Sequence, residues 1–155
     1  MDNRARYDDD FHSWTREQAG KLRARAHNDI DWENVAEEIE SLGRSQTREL
    51  SSRLAVLMAH LLKWEHQPQR RSVSWEATIA EQRAAISRLL QANPSLRSSL
   101  GEVASAQWPQ AIARAALEMR IDKRLLRDLP VYGANAILDE EFYPGPARDN
   151  SEDER

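Results

Sequence analysis

The feature that most constrains this chain is the run from Asp31 to Gln67, where Trp32, Val35, Ala36, Ile39, Leu42, Leu50, Leu57, Leu61 and Trp64 recur at helical spacing. Side chains so spaced share one stripe of an α-helix, which predicts a single long amphipathic helix across the stretch. Asp31 stands where an N-cap belongs, and Glu33 and Glu37 favour the positive end of the helix dipole. Gln67-Pro68 supplies the stop, because the residue before proline is pushed out of the α region. Gly43 lies on the apolar stripe. A mid-helix glycine costs about 1 kcal/mol relative to alanine, so it marks either a break or a close helix contact. Its place on the stripe favours the contact.

Trp32, Ile39, Gln46, Arg53 and His60 follow one another at intervals of seven and so share one line, which begins apolar and turns polar midway. Glu49 precedes Arg53 by four, an orientation suited to an ion pair. His60 sits inside LAVLMAHLL, apolar nearly all round and therefore expected to be buried. Buried charge must be paired and hydrogen-bonded, so the expectation is a satisfied network of Gln46, Glu49, Arg53 and His60, with Gln82 of the next helix in reach. Such a network can be a ligand or proton-transfer site, a wet groove or an oligomer seam. The plainer reading is a polar network that fixes helix register. If its members are sealed, Arg53→Ala should cost ~3 kcal/mol or more.

At 155 residues the expectation is one helical domain over 1–143, followed by a disordered acidic tail over 144–155. The net charge of −4 argues against a general nucleic-acid binder. Absence of cysteine removes disulfides, thiolate metal sites and cysteine nucleophiles. Nothing in the N-terminal residues looks like a signal peptide, and no apolar run approaches the ~18 residues of a membrane span, so a soluble, cytoplasmic protein is expected.

The rest of the chain also reads as helix, with no strand pattern. Met1–Tyr7 is expected to be a loose arm, and Asp9–Ala26 a helix carrying Phe11, Trp14, Gln18 and Leu22 inward. Ser74 should cap a helix to about Asn93 with Trp75, Ile79, Ile86, Leu89 and Leu90 on its stripe. Asn93-Pro94 should open a short helix through Ala104, Trp108-Pro109 should punctuate the chain, and a further helix should run to Met119. A short helix over Asp122–Leu129 and a last turn capped by Asn135 complete an all-α, single-domain bundle of hairpins around the long helix.

Two segments, IDWENVAEEIESLGRS and HLLKWEHQPQRRSVSWEATIAEQR, together with YDDDFHSW near the start, resemble the bacterial family known as domain of unknown function family 29. The resemblance covers about Tyr7 to Tyr143 and includes Asp31, Trp32, Glu37, Glu38, Glu40, Leu42, Gly43, Trp64 and Trp75. It implies a small all-helical protein. It implies no activity, cofactor or substrate.

Each candidate chemistry has a plainer rival. Glu33 and Glu37 could hold a divalent cation, but they fall opposite the apolar stripe, where charge is normally solvated. His60 and His66 are six apart, on different sides of a helix, so no metal is expected. Arg70, Arg71, Arg83 and Arg88, flanked by Trp64 and Trp75, could form a basic patch that grips nucleic acid weakly. Both tryptophans, however, sit on apolar stripes. No serine-nucleophile turn or phosphate loop occurs, so no cofactor is expected and the reading leans away from an enzyme. A protein–protein interaction or regulatory module, as a homo-oligomer or on another protein, is the leading expectation. The alternative is a small-molecule binder or enzyme built around Arg53 and His60.

Overall fold

A computed structural model describes residues 3–147. They are all-α: six helices, α1 (Asn3–Asp9), α2 (Phe11–Arg23), α3 (Trp32–His66), α4 (Val73–Ala92), α5 (Leu100–Met119) and α6 (Ala134–Leu138), joined by turns and short 3₁₀ segments, with no strand among the described residues. Contacts gather into two compact units, Met1–Gln46 and Thr47–Arg155. The continuous helix α3 contributes to both.

In the first unit, the arm expected at Met1–Tyr7 is instead helical from Asn3. The chain breaks at Asp10, whose φ of −143° is extended and whose carboxylate accepts from the Ser13 amide at 2.9 Å, so the helix expected from Asp9 starts at Phe11. Tyr7, Phe11 and Trp14 pack as an aromatic trio, with Tyr7 edge-on to Trp14 at 4.8 Å. Trp14 and Gln18 are buried as expected, whereas Phe11 and Leu22 face solvent. A polar joint fastens α2 to the start of α3. The Trp14 indole donates to the Asp31 carboxylate at 3.2 Å, and the Gln18 side-chain oxygen accepts from the Asp31 amide at 2.8 Å.

In the second unit, Leu50, Leu54, Leu57 and Leu61 of α3 are sealed in a core with Ile79, Ile86 and Leu90 of α4 and with Ala104, Trp108, Ala111 and Ala115 of α5. Ser72, not Ser74, caps α4 by accepting from the Trp75 amide at 3.2 Å. Asn93 closes the end of α4, its side-chain amide donating to the Leu89 carbonyl at 3.0 Å, and a 3₁₀ segment over Pro94–Ser99 leads straight into α5. That helix passes through Pro109 without stopping. The missing Pro109 N–H leaves the Ser105 carbonyl without its helical donor, but Ser105 and Pro109 are both exposed, so water can replace the bond. The helix expected over Asp122–Leu129 shrinks to a turn at Lys123–Leu125, and α6 follows Gly133 rather than an Asn135 cap. Phe142 and Tyr143 dock on the core. The first residues of the expected tail are placed too. Gly145, at φ 94°, lies so close to Glu65 that a Cβ there would stand 3.0 Å from the Glu65 Cα and carbonyl oxygen. Residues 148–155 of that tail lie outside the described residues.

Candidate functional site

The polar line predicted on α3 separates into two places. Arg53 donates through Nε to Glu49 at 2.9 Å and through Nη1 to Gln82 at 3.3 Å. The Arg53 and Glu49 side chains keep 33% and 42% of their surface, so the cluster is half-exposed rather than sealed. His60 is not a member. Seven residues of helix rise about 10 Å, which aligns Arg53 and His60 without letting them touch. Gln46 belongs to the first unit.

His60 is buried with its Nδ1 2.9 Å from the Val56 carbonyl, and its charged surroundings are Lys63, Glu118 and Arg114. Burial pulls its pKa below the ordinary value for histidine, so the ring is neutral at pH 7 and Nδ1–H donates to Val56. Lys63, absent from the expected network, is the ion at the centre of this region. It is 6% exposed, bonds Glu118 at 2.6 Å and holds its ammonium 4.7 Å from the centre of the Trp75 ring. Arg114 donates to the other Glu118 oxygen at 3.1 Å. Burial works against the Glu118 carboxylate, yet the Lys63 and Arg114 bonds hold its pKa below the usual glutamate value. A signal for Lys63 existed in the sequence. It follows LAVLMAHLL, and a residue next to a run that is apolar all round is covered whichever way it points.

The arginines expected to form a basic patch do not share a surface. Arg83 is 4% exposed and donates to three carbonyls, those of Ile137 at 2.8 Å, Glu140 at 3.4 Å and Phe142 at 2.6 Å, while its guanidinium stands 5.3 Å from the Tyr143 ring centre. Arg71 is half-buried, donating to the Trp64 carbonyl at 3.0 Å with its guanidinium over the Trp64 ring. Arg70 and Arg88 remain exposed. Two of the four thus anchor the protein's own backbone, which corrects the expected patch. Trp64, Arg71 and Tyr143 also border a recess of about 240 Å³, and a second recess of about 140 Å³ lies beside Glu65, Trp108 and Tyr132. No group of three or more metal-ligating side chains comes together among the described residues.

The motif residues of the first unit are arranged differently from expectation. The Asp31 carboxylate accepts from Trp14 and from Asn34 at 2.8 Å. Glu37 and Glu40 pair with Arg44 in solvent, and Glu38 accepts from the Tyr7 hydroxyl, a bond that pushes the phenol pKa up to about 12. The stripe itself is bare. Trp32 is 52% exposed, Ile39 64% and Leu42 66%, and beyond its chain neighbours and its own helix backbone nothing lies within 4 Å of where a Cβ on Gly43 would be. The glycine neither breaks α3 nor makes the close contact expected of it. The family described as domain of unknown function DUF29 matches residues 6–143. The chain belongs to the DUF29 family. It matches no curated protein and no solved structure.

In this DUF29 chain, then, chemistry and exposure lie apart. The buried ions of the second unit are each taken up by the protein, Lys63 by Glu118 and Arg83 by backbone carbonyls, which suits them to holding helices in register. The first unit exposes an apolar face next to a fixed polar joint. Trp32 is held in place there, its indole donating to the His27 carbonyl at 3.0 Å while its ring stacks on the His27 ring at 6.1 Å.

Proposed function

We propose that this DUF29 protein is a protein–protein interaction module that pairs with a second copy of itself through the bare face of α3 in the first unit. One observation carries the reading. The stripe that is fully buried at Leu50, Leu54, Leu57 and Leu61 continues upstream into Trp32, Ile39 and Leu42, which are each more than half exposed. A row of large apolar side chains in water marks a binding surface. Trp32 is restrained by His27, so little rotamer freedom is lost when it docks, and a rigid exposed tryptophan suits the centre of an interface.

Charge favours a second copy in antiparallel arrangement. Along the first unit's part of α3, Glu33, Glu37, Glu38 and Glu40 precede Arg44. An antiparallel pair sets the acidic end of each helix beside the arginine of the other and opposes the two helix dipoles, whereas a parallel pair stacks acid on acid. Ala36 and Gly43, both small and exposed, permit close approach of the backbones.

Light scattering on the eluting protein across a concentration series tests this. The expected result is a dimer with micromolar Kd, about −8 kcal/mol. Ile39→Glu with Leu42→Glu should return it to monomer, and Leu117→Glu, on an exposed leucine of the second unit, should leave the dimer intact. A monomer at every concentration, or a dimer indifferent to the double substitution, refutes the proposal.

A further inference from the structure

Independently of that face, the smaller recess of the second unit has the makings of a ligand site. Its volume is about 140 Å³, near the size of a cavity that accepts benzene. Leu62, Leu129, Pro130 and Val131 supply apolar walls. Trp108 and Tyr132 stand at 79° to one another with ring centres 5.1 Å apart, and Glu65 brings a carboxylate whose side chain keeps 32% of its surface. We propose that this recess binds a small alkylammonium, its short apolar stem against the walls and its charged head between the Glu65 carboxylate and the aromatic rings.

Three features support that chemistry over others. The Tyr132 hydroxyl donates to Glu65 Oε2, which orients the carboxylate and leaves lone pairs for a second donor. Burial, together with Glu65, pushes the Tyr132 pKa upward, so the phenol keeps its proton and the pair carries one net negative charge. An anion is repelled by that charge, while a cation gains the carboxylate beside two electron-rich rings. Gly145 packs on the Glu65 backbone, so the residue carrying the carboxylate is already in place. His66 Nε2 lies 3.7 Å from the same carboxylate.

The test is a titration of the ¹⁵N-labelled full chain, following the Trp108 indole N–H, with isoamylamine, its neutral isostere isoamyl alcohol, and Nα-acetyl-lysine amide. The expected result is a saturable Trp108 shift with the amine and binding at least about tenfold weaker for the alcohol. Glu65→Gln should bring the amine down to the level of the alcohol. Tyr132→Phe, which keeps the ring and the carboxylate, should retain the preference and serves if Glu65→Gln fails to fold. Binding of acetyl-lysine amide as tightly as the amine assigns the site to lysine side chains of a protein, and its exclusion assigns it to free amines. Equal binding of amine and alcohol, or no saturable shift with any probe, overturns the proposal. Neither result bears on the oligomeric state, so this site and the α3 face stand or fall separately.

Discussion

Arg83→Met offers the sharpest test of how the second unit is held together. The guanidinium of α4 bonds the carbonyls of Ile137, Glu140 and Phe142, and so straps α6 and the segment after it to the core. Hydrogen bonds from a charged donor are each worth roughly 1.5–3 kcal/mol net. The Glu140 contact at 3.4 Å is long and counts for little, leaving two strong bonds and a nominal loss of about 3–6 kcal/mol. Methionine preserves most of the aliphatic stem, so packing changes little.

The full loss is not expected, because the segment has another way out. Once Ile137–Phe142 lifts away, its carbonyls bond water, and the damage is limited to the apolar burial of the strap. Ile137 is completely buried, and burying such a side chain contributes about 1.5–3 kcal/mol, with Phe142 adding part of another. The two limits meet near 3 kcal/mol. Urea unfolding followed by circular dichroism should show that loss, and hydrogen exchange should show amides of 134–143 opening before those of α3 and α5. Arg83→Lys should recover less than half, since one ammonium cannot reach three carbonyls in a planar fork. A loss below about 1 kcal/mol, with unchanged exchange, would refute the strap.

Other perturbations divide along the same lines of burial. Arg53→Ala should cost less than about 1 kcal/mol in the same unfolding assay, because its partner Glu49 stays solvated. Glu118→Ala should cost about 3 kcal/mol, since it strands the buried Lys63 ammonium, whereas Lys63→Met should cost less because Glu118 reaches water and keeps Arg114. His60 gives a pH signature. Its pKa is lowered in the folded state, so the unfolded chain takes up the proton first. Stability is therefore full above the unfolded value of about 6.5 and falls as pH drops below it. Unfolding measured from pH 7.5 to 5.5 should show that decline, and His60→Gln should flatten it. Arg120 closes α5 in the left-handed region at φ 56°, so Arg120→Gly should raise stability by about 0.5–1 kcal/mol in a thermal melt.

Much of this fold could be read from periodicity. The helix expected over Asp31–Gln67 is found over Trp32–His66, because a long apolar stripe bounded by an aspartate and a proline leaves few alternatives. Local punctuation was less dependable. Pro109 looked like a stop, but its lost bond falls on the wet side of α5, a fact set by packing rather than by the dipeptide. The turn at Asp10 was hidden because aspartates at Asp8, Asp9 and Asp10 can each cap, and only the aromatic packing of Tyr7, Phe11 and Trp14 selects one. The candidate site was harder still. Sevenfold spacing set Arg53 and His60 on one line, but a shared line says nothing of contact across about 10 Å of helix, and the ions around His60 are Lys63 of the same helix with Glu118 and Arg114 of α5. Arg83 resembled a surface cation beside Arg88. Its carbonyl partners lie more than fifty residues away, and no local pattern announces them.

The bare half of α3 shows what periodicity measures. A stripe of apolar residues records that a face needs cover and is silent about what supplies it. From Leu50 onward the chain's own α4 and α5 supply it. Upstream, the first unit reaches its fold by another route. Asp31, Trp14, Gln18, Tyr7 and Glu38 fasten α1 and α2 to α3 with hydrogen bonds, so α3 does not have to bury Trp32, Ile39 or Leu42 to be held. A helix pinned by polar contacts can keep apolar side chains uncovered without losing its place. That separation of anchoring from burial is what an association surface requires, since the face must stay ordered while it is empty.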